Sequence, residues 1–111
     1  MPLLRAWLIA FAITVTSELA IAVPLLGAGN TRARRVAVVC LAQLATHPSV
    51  WFIWPLLDLS RVSFLLLAES FAFVAEALIY RLCFEQVGWS RCFAASALAN
   101  ATSMLIGLWL F

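Results

Sequence analysis

Four apolar runs, each about as long as a bilayer-crossing helix, constrain this chain more than anything else in it; they lie at about 3–28, 36–57, 62–84 and 92–111. A helix that crosses the hydrocarbon core needs roughly 20 mostly apolar residues. Four such spans account for about 80 residues and leave about 30 for ends and three loops. Charge is sparse in proportion: 11% of residues are charged, against roughly 25% in soluble domains. These features exclude a soluble domain and any sizeable head outside the bilayer. A net charge of +2 is too small to argue for nucleic acid as a partner. The runs do not alternate with polar residues, which excludes an ordinary outer-membrane barrel. The expected fold is all-α: an integral membrane four-helix bundle with short loops, one domain over residues 1–111, whose first partner is the lipid bilayer.

Arginine placement sets the orientation, because short cytoplasmic loops carry the excess of basic residues. The first loop holds Arg32, Arg34 and Arg35 and the third holds Arg81 and Arg91, while the opposite side has only Arg5 and Arg61. Loops one and three are therefore expected in the cytoplasm and both termini outside it. Arg5 followed by an apolar stretch resembles the start of a signal peptide. The run, however, continues through Glu18 to Leu26, and a cut after Ala20 would place Glu18 where a small residue is preferred. The first span is read as retained. Cys40, Cys83 and Cys92 are odd in number and lack Cys-x-x-Cys spacing. Cys83 and Cys92 flank the third loop, where a reducing cytoplasm favours free thiols.

Ionisable groups inside spans are costly, face the bundle interior and mark function. Here they are Glu18, His47, Glu69 and Glu76, joined by Asn100 and Ser103 in the fourth span. Each belongs to a one-face stripe: Ala10, Thr14, Glu18 and Ala22; Cys40, Gln43 and His47; Glu69, Glu76 and Tyr80; Ser96, Asn100, Ser103 and Gly107. At about 1.5 Å rise per residue, counted from the cytoplasmic ends of the runs, Glu18 and His47 lie roughly 16 Å deep, Glu69 about 20 Å, Asn100 about 14 Å and Glu76 about 10 Å. This places Glu18, His47, Glu69 and Asn100 in one intramembrane site, with Glu76 on an access path nearer the cytoplasm. Three acids and one histidine without an arginine at their level cannot all carry unpaired charge. They share protons or hold a bound cation. As a structural alternative, each acid hydrogen-bonds a neighbour and does nothing else; for single residues such as Gln43 or Ser96 that plain reading is the expected one.

Pro48 removes a backbone donor beside His47, so Thr46-His47-Pro48 is expected to interrupt the second span. Broken helices of this kind either line a site or simply kink for packing. Glu18, His47 and Glu69 also form a candidate ligand set for a divalent metal ion such as Mn, Fe or Zn. No phosphate loop, nucleophile elbow, haem or flavin motif is present.

Thr46-His47-Pro48, then Glu69 and Glu76 seven apart, then Ala99-Asn100 and Ser103 resemble a family of small bacterial four-span membrane proteins of unassigned function. The resemblance covers about the last two thirds of the chain. It implies the fold, a bacterial inner-membrane location and a common site for the stripe residues, and it brings no activity. Size and a first-span glutamate are similar to the small multidrug resistance transporters, but Ser17-Glu18-Leu19 before Pro24 departs from their first-span pattern, as do His47, Glu69 and Glu76.

Three functions compete. The first is a transporter or channel component handling protons or a cation at the Glu/His/Asn site, the second a non-catalytic subunit of a larger membrane complex, and the third an intramembrane metal-dependent enzyme. Three buried acids favour the first, so enzymatic activity is not the expectation. So thin a bundle is expected to form a homo-oligomer or to join other subunits.

Overall fold

The computed structural model describes residues 2–27 and 29–110. It contains four long helices, α1 (Pro2–Leu25), α2 (Arg32–Phe52), α3 (Arg61–Cys83) and α4 (Trp89–Leu110), with a short 3-10 turn at Trp54–Leu57. All four helices are long and apolar enough to cross a membrane. The expected run ends at Ala28 and Phe111 lie outside the described residues.

Local chemistry sets the helix ends, and it moves several of them away from the ends of the apolar runs. Thr31 caps α2 by accepting a hydrogen bond from the Arg34 amide (3.2 Å), so the arginines form the first turn of a helix rather than a loop. Ser60 caps α3 in the same way through the Ser63 amide (3.2 Å). At the end of α1, the Asn30 side chain donates to the Leu26 carbonyl (2.7 Å), and Gly29 turns the chain with φ +70°. Pro48 does not break α2, which runs through it to Phe52. The missing proline N–H removes the usual donor to the Leu44 carbonyl. One turn earlier, the Thr46 hydroxyl bonds back to Ala42 O (3.1 Å).

The helices form a closed ring in chain order. α1 packs on α2 and α4, and α3 packs on the same two neighbours. The diagonal pairs, α1 with α3 and α2 with α4, do not approach backbone to backbone among the described residues. The molecule measures 41 × 24 × 22 Å, a length close to the roughly 40–45 Å of a whole bilayer. Large apolar side chains point outward along its full length, including Leu8, Leu41, Leu66, Leu82, Leu98 and Leu108. The interior is built instead from small and polar residues: Ala10, Ala22, Ala42, Ala68, Ala72, Ala77, Ala95 and Ala99 are buried together with Glu18, Gln43, Thr46, Glu76, Ser96 and Asn100. Small side chains let helix backbones approach closely where there is no hydrophobic drive to associate.

The two ends of the ring differ. At the end carrying the α1–α2 and α3–α4 connections, Tyr80, Phe84, Val87, Leu26, Val39 and Cys92 close the centre with a packed apolar plug. Arginines finish the helices there. Arg34 donates to the Cys83 carbonyl (2.7 Å) and Arg35 to the Val23 carbonyl (2.6 Å), satisfying groups at the C-terminal ends of α3 and α1. Arg81 lies over the Trp89 ring at 5.4 Å. The opposite end, where α1 begins and α4 finishes, has no such plug among the described residues and leads into a cavity.

Candidate functional site

Glu76 is the hub of the interior. α3 turns it toward the middle of the ring, where it is 1% exposed. Gln43 of α2 donates to its Oε1 (2.8 Å), Thr46 of α2 to its Oε2 (3.2 Å), and Asn100 of α4 to Oε1 (3.4 Å). All three donors are neutral. Asn100 is held in turn by Ser96: its amide donates to the Ser96 carbonyl (2.8 Å) and hydroxyl (3.2 Å), and the Ser96 hydroxyl donates across to Phe73 O on α3 (2.7 Å).

α1 contributes Glu18, which is completely buried. Neither of its carboxyl oxygens meets a donor. Glu76 is its charged neighbour in the interior. Two carboxylates offer only acceptors, so a hydrogen bond within the pair exists only when a proton lies between them. The contacts are thus unequally divided: Glu76 is bonded by Gln43 and Asn100 and touched by the Thr46 hydroxyl, whose single proton also has Ala42 O within reach, whereas Glu18 meets no donor among the described residues.

A cavity of about 200 Å3 opens above Glu76, toward the end where α1 begins. All four helices line it; Glu76, Gln43, Thr46 and Asn100 border it with Glu69 and His47. Glu18 is not in its wall and lies behind Glu76. Ser103 lines the cavity and donates to Asn100 O (3.1 Å).

The two acids of α3 take places opposite to those expected from depth. Glu76 joins Glu18 and Asn100, while Glu69 is half-buried, lines the cavity and has no hydrogen-bond partner. The reason lies in the helix ends. α1 stops at Leu25 and α3 at Cys83, so Glu18 and Glu76 each stand seven residues from the end of their helix and are level. His47 is displaced as well. Its Nδ1 accepts a hydrogen bond from Trp7 Nε1 (3.0 Å), and its ring packs against Phe11 and Trp51. It therefore borders the cavity from within an aromatic cluster rather than meeting Glu18. The divalent-metal set Glu18, His47 and Glu69 does not assemble: among the described residues no three His, Cys, Asp or Glu side chains come together as metal ligands. Gln43 makes the shortest bond to Glu76 (2.8 Å), the hydrogen bond to a neighbour that its plain reading expects. Thr46 was visible only as part of the Thr-His-Pro run. Both could have been found from their i, i+3 spacing on the face that leads to His47.

No family model, curated protein or solved structure matches the chain.

Proposed function

We propose that the chain is an integral membrane transport or channel component that handles protons or a cation at the Glu18–Glu76 pair. The observation that carries this reading is the inequality within the pair: Glu76, at the floor of a cavity, takes the side-chain amides of Gln43 and Asn100, while buried Glu18 meets no donor among the described residues. A site with one exchangeable proton between two acids passes that proton on or trades it for a cation. A scaffold has no need of such a pair. The orientation follows the arginines, with the plugged end in the cytoplasm, the cavity facing the other side and a bacterial inner membrane as the setting. Reporter fusions to the C-terminus test this; cytoplasmic reporter activity there would reverse it. Ala94, Ala97 and Ala101 remain exposed on α4, which supports assembly with further copies or with other subunits through close helix contact.

Fluxes of protons, sodium and potassium into liposomes holding the purified protein test the transport reading. At least one should exceed the flux into empty liposomes and fall at least tenfold, roughly 1.4 kcal/mol in barrier, in Glu76→Gln and Glu18→Gln. Glu85→Gln, on an exposed loop residue, should leave it unchanged. Wild-type flux equal to that of empty liposomes, or undiminished flux in Glu76→Gln, overturns the proposal.

A further inference from the structure

The cavity has a one-sided chemistry that narrows what can occupy it. Its polar wall includes two acceptors that meet no donor among the described residues, on Glu69 and Asn100, beside the Thr14 hydroxyl and the His47 ring. The Glu69 carboxyl has no hydrogen-bond partner and borders the open space. The amide nitrogen of Asn100 is committed to Glu76 and Ser96, which fixes the orientation of the amide and leaves its Oδ1 without a donor. Glu76 Oε1 and Oε2 also stand at the cavity floor. No lysine or arginine borders the space. The remaining wall is apolar or aromatic, with Ile13, Val50, Leu65, Met104 and the Trp51 ring.

We propose that this cavity binds a primary ammonium group carried on a short apolar body. Three requirements lead there, and the inference rests on the membrane reading above. The unmatched acceptors call for N–H donors, which a primary ammonium supplies in three directions and a quaternary ammonium does not. A Glu69 carboxyl with no cationic partner among the described residues is a place where a cation can be held. An apolar wall with an aromatic face calls for a hydrocarbon body and favours a cation beside the ring. An inorganic cation meets the charge requirement only and leaves the apolar and aromatic wall without a partner. Size agrees: a dry cavity of ~150 Å3 accommodates benzene, so about 200 Å3 holds a body of about six carbons with its ammonium head.

Access from the side is compatible with such an amphiphile. A second hollow runs along the outer seam of α3 and α4, and Glu69, Asn100 and Met104 line both it and the cavity. These shared side chains stand between the outer hollow and the site, so Glu69 borders both.

The test is equilibrium binding of hexylammonium to the purified full chain in lipid nanodiscs, followed as a saturable rise in unfolding temperature, with 1-hexanol, tetraethylammonium and sodium as comparison probes. Hexylammonium should bind at least ~10-fold more tightly than any of the three, the least expected from a hydrogen bond to a charged partner. Glu69→Gln should weaken it by ~10- to 100-fold. Glu69 makes no hydrogen bond within the fold, so its loss should leave folding intact. Ala72→Leu, which fills the cavity and keeps every acid, should abolish binding independently. Equal binding of 1-hexanol or tetraethylammonium overturns the proposal, and so does unchanged affinity in Glu69→Gln. Because the readout is binding, hexylammonium can bind where no flux is found, and flux through Glu76 can occur with no ammonium site; the two proposals fail separately.

Discussion

Replacing Gln43 by leucine removes the shortest hydrogen bond to Glu76 while keeping volume and helix propensity nearly constant. Interhelical hydrogen bonds inside membrane proteins average about 0.6 kcal/mol in double-mutant cycles and reach about 1.7. A 2.8 Å bond to a carboxyl oxygen at a site 2% exposed belongs in the upper part of that range. Thr46 and Asn100 still reach Glu76 at 3.2 and 3.4 Å, so the acid is not left bare and the full penalty of an unpartnered buried group does not apply. The coupling between positions 43 and 76 is therefore expected at about 1–1.7 kcal/mol. Four proteins measure it: wild type, Gln43→Leu, Glu76→Met, which removes the acceptor, and the double variant, each unfolded reversibly in mixed micelles. Free-energy changes that add within about 0.3 kcal/mol would show that the two side chains do not interact, and Glu76 would lose its place as the hub.

Two further outcomes follow from single contacts. Trp7→Phe deletes the donor to His47 Nδ1; in wild type the neutral ring should carry its proton on Nε2, and nitrogen NMR of the variant should show a mixture of tautomers, whereas an unchanged spectrum would show that Trp7 does not set the ring. Gly29→Ala forces a side chain into φ +70° with its Cβ 3.1 Å from the Gln86 side chain, while a Cβ at Gly88 meets nothing within 4 Å. The first should destabilise by about 1–2 kcal/mol and the second by less, and equal thermal shifts for the two would contradict the turn geometry.

The four helices were legible because length and hydropathy are properties of a run of residues and need no partner. The stripes were legible too: Glu18, Gln43, Glu76, Ser96 and Asn100 all lie on the inward faces that helical spacing assigns them. Level along the axis was not legible. Hydropathy places the end of the first run near Ala28 and the start of the second at Val36, whereas backbone capping places them at Leu25 and Arg32. An error of three or four residues is one helical turn, enough to exchange Glu69 for Glu76. His47 was misplaced because Trp7, forty residues away, competes for its Nδ1, and nothing local in Thr46-His47-Pro48 reports that. Trp7, Phe11 and Trp51 pack around this histidine from two helices, a cluster that spacing within either helix does not report. The plug of Tyr80, Phe84 and Val87 depends on how the third connection folds back, which is invisible to periodicity.

The sharing of one proton between Glu18 and Glu76 can be observed directly by infrared spectroscopy of the protein in lipid. A protonated carboxyl gives a C=O stretching band well separated from the carboxylate bands. At neutral pH the wild type should show a protonated-carboxyl band that shifts in D2O. It should shift or lose intensity in Glu18→Gln, because the partner carboxyl is gone. A wild type without the band, or a band that persists unchanged in both Glu18→Gln and Glu76→Gln, would contradict a shared proton and with it the central claim.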